Sequence, residues 1–364
     1  MTKKLTIPLL AALLLMLALS SCSGSRLQAS GWPGITADDE TAYIAFSTQV
    51  YAINLENGTE RWRFPAVMEK NSKVTFYAAP QITDDGQVIV GGYNNILYSL
   101  DAKTGQENWQ FEGATDRYIG STLIVNGKIF APSADKNLYA LNVSGRSIWA
   151  SPFTAENENW AKPAAGPDCD CVYLASMDHS VYAINPRDGS TLWRSEPLGG
   201  ASVGSPAVSE DGKTLYIGSF LNELVAINAA DGKILWKFPT ADWVWTSPVL
   251  DGDTLYFADI AGNFYAVDRN TQSQLWSLPT GSEIVGTPLL TDDGLYFTNQ
   301  AGTLYAVTRD GATRWTKEFD QPLHSGPIAA GDLLLVATDK GDLTLYAFNA
   351  EGAQQWQFTT AEEK

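Results

Sequence analysis

Apolar and polar positions alternate along most of this chain in short runs, and the clearest run is Glu223 to Phe238. Leu224, Ala226 and Asn228 alternate with Val225 and Ile227, the period of two expected of a strand with both faces in use. Asp231-Gly232 supplies a tight turn, because glycine enters positive φ without a Cβ clash. A second strand then runs from Lys233 to Phe238 through Trp236. Upstream, Ser205–Val208 and Thr214–Ser219 read as two further strands around the turn Glu210-Asp-Gly212. One unit is therefore four short strands.

The unit recurs. The copies end at Trp62, Trp109, Trp149, Trp193, Trp236, Trp276, Trp315 and Trp356, spaced by 39 to 47 residues. Each first strand opens on a proline: Pro33, Pro80, Pro163, Pro206, Pro248, Pro288 and Pro327, with Thr122 standing in the third copy. First turns such as Asp84-Asp-Gly86, Asn126-Gly127, Asp251-Gly252 and Asp292-Asp-Gly294 carry strong hairpin signals. Past the N-terminal segment no stretch holds a 3.6-residue period over ten residues, because Gly, Pro or Asx breaks every run. Eight four-stranded units predict an all-β fold, an eight-bladed β-propeller in which each small sheet is covered by its neighbours.

Composition adds an address and a charge. Lys3 and Lys4 precede an apolar run from Leu5 to Leu19, about the length of a signal-peptide core and short for a membrane span. The run ends in Leu19-Ser-Ser-Cys22, which resembles a bacterial lipobox and predicts lipidation of Cys22. The expected organisation is a signal peptide over 1–21, a flexible tether over 22–30, the propeller over 31–360 and a short tail over 361–364. A lipid anchor would hold the chain at a membrane without spanning it. Formal net charge is −17, which disfavours nucleic acid and anionic surfaces as partners. The two remaining cysteines, Cys169 and Cys171, flank Asp170 and admit either a small disulfide ring or free thiols; no third ligand nearby supports a metal site.

The repeat also carries a resemblance. The pattern Ala-x-(Asn/Asp)-x-x-(Asp/Thr)-Gly-x-x-x-Trp is similar to the tryptophan-docking repeat of the quinoprotein-like (PQQ-like) propellers, over roughly residues 31–360. That resemblance implies that the eight repeat tryptophans pack between adjacent blades. It also implies that the loops joining blades and the loops joining second and third strands share one face.

Candidate binding residues follow from those loops. Inter-blade loops hold Phe76-Tyr77, Asp116-Arg117-Tyr118, Glu156 to Trp160, Trp243 to Trp245, and His324. Three residues before each first-strand proline (or Thr122) stand Tyr77, Ile119, Trp160, Val203, Trp245, Val285 and His324, expected to ring the mouth of a central channel. The candidate face is thus Phe76, Tyr77, Arg117, Tyr118, Trp160, Trp243, Trp245 and His324, because aromatics out of the repeat register mark recognition surfaces. Asp178-His179 has no assignable nucleophile beside it, so no catalytic residue is expected. The pairs Asp84-Asp85 and Asp292-Asp293 sit in hairpin turns, where aspartate is favoured for backbone reasons.

Signal, lipobox and eight blades together resemble the lipoprotein family of the outer-membrane-protein assembly machine (BamB type). The resemblance implies a monomeric, non-catalytic scaffold that binds envelope proteins through the inter-blade loop face. It would be anchored at the periplasmic face of an outer membrane, or at the cell surface where there is none; Ser23 after Cys22 lacks the aspartate that retains lipoproteins at some inner membranes. The alternatives are a PQQ-dependent dehydrogenase and a carbohydrate- or small-ligand-binding propeller. The first adds an adjacent Cys-Cys ring and calcium ligands that the bare units here do not offer, so no PQQ is expected, although Trp243 or Trp245 resembles a stacking floor.

Overall fold

A computed structural model describes residues 32–67, 74–167, 171–338 and 342–360. The expected signal peptide, Cys22, the tether, Cys169, Asp170 and the 361–364 tail lie outside the described residues.

The described chain forms eight antiparallel sheets of four strands, each a simple meander in sequence order. Blade 5 comprises Ala207–Val208, Thr214–Ser219, Glu223–Asn228 and Ile234–Pro239. Its two central strands are the lengths read from the alternation, and its first strand is shorter. Blade 3 departs most. Its fourth strand is only Phe153–Thr154, and Trp149 lies in the irregular chain before it.

The core divides into eight hydrophobic clusters, one for each junction between blades. Strand alternation causes this division. Tyr43 packs into the junction of blades 1 and 2, while its neighbour Ile44 packs into the junction of blades 8 and 1. Both faces of every blade are therefore apolar, and a lone blade would leave both wet.

The repeat tryptophans lock the junctions. Trp62 Nε1 donates to Ala102 O at 2.9 Å, Trp109 to Val143 O at 2.9 Å, and Trp193 to Ala229 O at 3.0 Å, in each case a carbonyl in the next blade. Trp149, Trp276 and Trp315 repeat the bond to Pro186, Arg309 and Ala350. Each ring lies against the glycine of the neighbour's last turn; a Cβ on Gly105 would stand 2.6 Å from Trp62. Trp236 is the exception. The matching turn residue of blade 6 is Gln272, held at φ 60°, and no such bond from Trp236 joins it to the next blade among the described residues. Within blades, Tyr43, Tyr173, Tyr216, Tyr256 and Tyr296 lie 5.7–5.9 Å from the repeat tryptophan.

Ring closure uses no exchanged strand. Trp356 Nε1 donates to Leu55 O at 2.7 Å with its ring on Gly58, so blade 8 docks on blade 1 as the other pairs do apart from blades 5 and 6. Ser325 Oγ adds a bond to Pro33 O.

Candidate functional site

Each blade is entered through a segment that runs along the axis before its first-strand proline. Burial alternates in these segments, with blade 8 the one departure among the described residues. The fourth residue before the proline (or Thr122) is Phe76, Tyr118, Asn159, Ser202, Val244, Ile284 or Leu323, and all are at most 1% exposed. The third residue before it is half-buried in every blade described. The buried residue is an anchor: the backbone N–H of Phe76 donates to Ser47 O, and that of Tyr118 to Gly92 O, each in the preceding blade. Tyr118 fills the space that a Cβ on Gly91 would occupy, 2.3 Å from its own Cβ.

This corrects two of the candidate binding residues. Phe76 and Tyr118 point into blade junctions and offer no surface to a partner. In an alternating segment a one-residue step reverses the side chain's direction, so each is the buried neighbour of a mouth residue.

The remaining candidates gather at one end of the channel. Tyr77 stacks on Tyr93 at 4.2 Å, and the Arg117 guanidinium lies 5.5 Å over the same Tyr93 ring. Burial pushes the Tyr93 hydroxyl up to about 12, with the neighbouring Tyr77 adding to the effect and Arg117 opposing it. Trp160 Nε1 donates to Glu158 at 2.6 Å. Trp243 and Trp245 both stack on Phe220, at 4.8 and 5.2 Å. Since Phe220 and Tyr93 belong to loops between second and third strands, the two loop sets do share a face.

Trp32 shows how narrow the axis is. It belongs to blade 1, yet it stacks on His324 of blade 8 at 5.2 Å and meets Trp245 of blade 6 at 5.9 Å. Blades 1 and 6 are not neighbours, so the contact crosses the channel lumen. A continuous aromatic run, Trp243–Phe220–Trp245–Trp32–His324, therefore covers one side of the mouth, with Trp243 the most open at 42%.

A family model described as outer membrane protein assembly factor BamB matches residues 18–166, 177–289 and 279–364. The chain belongs to that family. Among solved structures, the crystal structure of BamB from Moraxella catarrhalis is similar at 18% identity and a TM-score of 0.68, over 87% of this chain and 93% of that one. The computationally designed Ika8 protein is similar at 13% identity and a TM-score of 0.75, over 88% and 98%. At such identities the likeness shows the fold. No curated protein sequence matches the chain.

Acidic residues of the BamB-family mouth serve as latches. Asp135 accepts from Tyr139 Oη at 2.6 Å and from Thr115 N at 2.9 Å; Asp178 accepts likewise from Tyr182 and Glu156 N, and Asp259 from Tyr265 and Ala241 N. Each carboxylate joins its own blade to the loop that enters that blade from the preceding one. Burial alone would raise the Asp135 carboxyl, but these bonds hold it below the ordinary carboxylate value. Asp178 is thereby committed, and His179 sits at φ 68° in the turn beside it, so the pair forms a turn and no dyad. Glu156 forms a two-pronged pair with Arg194 at 2.6 and 2.8 Å.

The opposite face collects the first hairpin turns. There Asp85 accepts from Thr83 and Gln87 within its own turn. Cys171 is disulfide-bonded and lies with Asn126, Pro167 and Pro186 on this face. A cysteine ring over a cofactor at the mouth is therefore not what this cysteine builds. Trp245 also has Phe220 and Trp32 against it, which leaves a poor stacking floor, and among the described residues no three His, Cys, Asp or Glu side chains gather as a metal-binding set. The residues present do not fit PQQ.

Trp32, Phe220, Tyr93 and Lys162 were not among the sequence candidates. A signal for two of them existed: Trp32 and Lys162 stand directly before Pro33 and Pro163, a position that elsewhere holds Ala, Ser, Thr or Gly.

Proposed function

We propose that the chain is a non-catalytic scaffold of the cell envelope that binds protein partners through the channel-mouth face during outer-membrane protein assembly. Family membership supplies the process. The observation that carries the site is the cross-lumen aromatic run, together with the separate cluster of Tyr77 and Arg117 on Tyr93. Aromatic and arginine side chains on a rigid frame are the groups that dominate protein interfaces. Within this reading Cys22 carries the lipid, residues 22–30 form the tether, and the protein acts as a monomer at the periplasmic side of the outer membrane.

The test is cross-linking of the anchored protein in its own cells, followed by mass spectrometry, with PQQ and calcium titrated into the purified chain in parallel. Capture of outer-membrane assembly components without saturable PQQ binding is the expected result. Saturable PQQ binding with dye reduction on an alcohol would overturn the scaffold reading.

A further inference from the structure

Directly before the first-strand proline or Thr122, six blades place Ala79, Ser121, Ser205, Ser247, Thr287 and Gly326. All six are small. Blades 1 and 4 interrupt the ring with Trp32 and Lys162. Trp32 is accounted for by its stack on His324 and Trp245. Lys162 is not accounted for by anything described above.

Lys162 Nζ donates to Gln81 Oε1 at 2.6 Å. Lys162 belongs to blade 4 and Gln81 to blade 2, so this bond spans the lumen in front of blade 3. Gln81 is itself fixed, because its Nε2 donates to Pro80 O at 2.7 Å. The acceptor is a neutral amide, and among the described residues no carboxylate acts on the ammonium; burial alone lowers its pKa. An ammonium has three N–H donors, and Gln81 satisfies one. Lys162 is half-buried, so its ammonium gives up part of its hydration with no countercharge among the described residues to replace it. A side chain needed only to fill space here would be better apolar or an amide.

We propose that Lys162, positioned by Gln81, is a recognition site for a carboxylate of the docked partner, either a chain end or an acidic side chain inserted through the mouth. One ammonium balances one negative charge, which suits a carboxylate better than a phosphate, whose two charges call for several cations or a bidentate arginine. The chain's net charge of −17 weakens the hold on free anions, and a partner's other contacts add to the grip on its carboxylate. The inference rests on the mouth-face reading and adds to it the charge that the partner must present.

The test uses the full-length chain with its lysines labelled with carbon-13 at Cε, which leaves all three N–H donors in place, and the Lys162 resonance assigned by its loss in Lys162→Gln. Three probes are titrated: N-acetyl-leucine for a chain end, N-acetyl-aspartate α-methylamide for a side chain, and N-acetyl-leucinamide as the uncharged control. The expected result is a saturable shift of the Lys162 signal with at least one carboxylate and at least tenfold weaker with the amide, while the other lysine signals stay unmoved in wild type and in Lys162→Met. Whichever carboxylate binds identifies the source. Equal shifts from acid and amide, or none from any probe, would overturn the proposal. Partner cross-linking in cells by Lys162→Met separates the two readings: unchanged capture that is still lost on Trp160→Ala removes the carboxylate site and leaves the mouth face standing.

Discussion

The belt of tryptophan junctions and the ring of entry segments are built from the same repeat, yet they use it in opposite ways. In the belt, one residue type recurs at one register and, at all but Trp236, makes one bond, from Trp62 on Ala102 round to Trp356 on Leu55. In the entry segments, burial recurs at one register while residue type varies on the exposed side: Tyr77, Ile119, Trp160, Val203, Trp245, Val285, His324. Uniformity of side chain marks a position that solves the same packing problem eight times. Variation at a fixed geometry, where the side chain also keeps contact with solvent, marks a position released from packing, and there a binding surface is free to be written.

The largest effect is expected where the belt closes. Trp356→Ala should cost about 3–5 kcal/mol, read as a fall in the denaturant midpoint, because ring closure has no exchanged strand in reserve. Trp236→Ala should cost less than the other repeat tryptophans, since among the described residues that ring makes no bond to the next blade. A loss as large as at Trp356 would show that the bond matters little.

Asp135→Asn should cost about 1–3 kcal/mol at neutral pH, by weakening the charge-assisted bonds that latch blade 3 to the loop entering it. The sign with pH follows from the carboxyl being held low. Its contribution is present above the ordinary carboxylate value and is lost as the pH falls through the depressed one. Wild type should therefore lose more stability than the variant between pH 7 and acid pH, measured by urea unfolding.

Gln272→Gly is expected to stabilise by about 1 kcal/mol or less, since it relieves a positive φ and gives Trp236 the flat seat that the other tryptophans have. Thermal unfolding would detect it. The smallest change in stability should come at the mouth. Trp160→Ala with Trp243→Ala should leave the thermal midpoint within about 1 kcal/mol of wild type while partner capture falls at least tenfold.

The eight blades, their strand order and the tryptophan belt were legible because alternation and turn residues repeat eight times. The closure was not, since nothing in a strand pattern says which chain segment completes a ring. The mouth was half legible. Trp160, Trp245 and His324 fell at the exposed register, but Phe76 and Tyr118 lie one residue away, where alternation turns them inward. Trp32 and Lys162 escaped because their roles depend on contacts between non-adjacent blades, visible only once the ring is closed.

The most direct test of a one-sided binding surface is site-specific photocross-linking in living cells. A photoreactive residue would be placed at Tyr77 or Trp243 on the mouth, and at Asp85 or Asp292 on the opposite face. Adducts with outer-membrane assembly proteins from the mouth positions alone are the predicted result. Equal or stronger adducts from the opposite face would contradict the assignment of the mouth as the working surface.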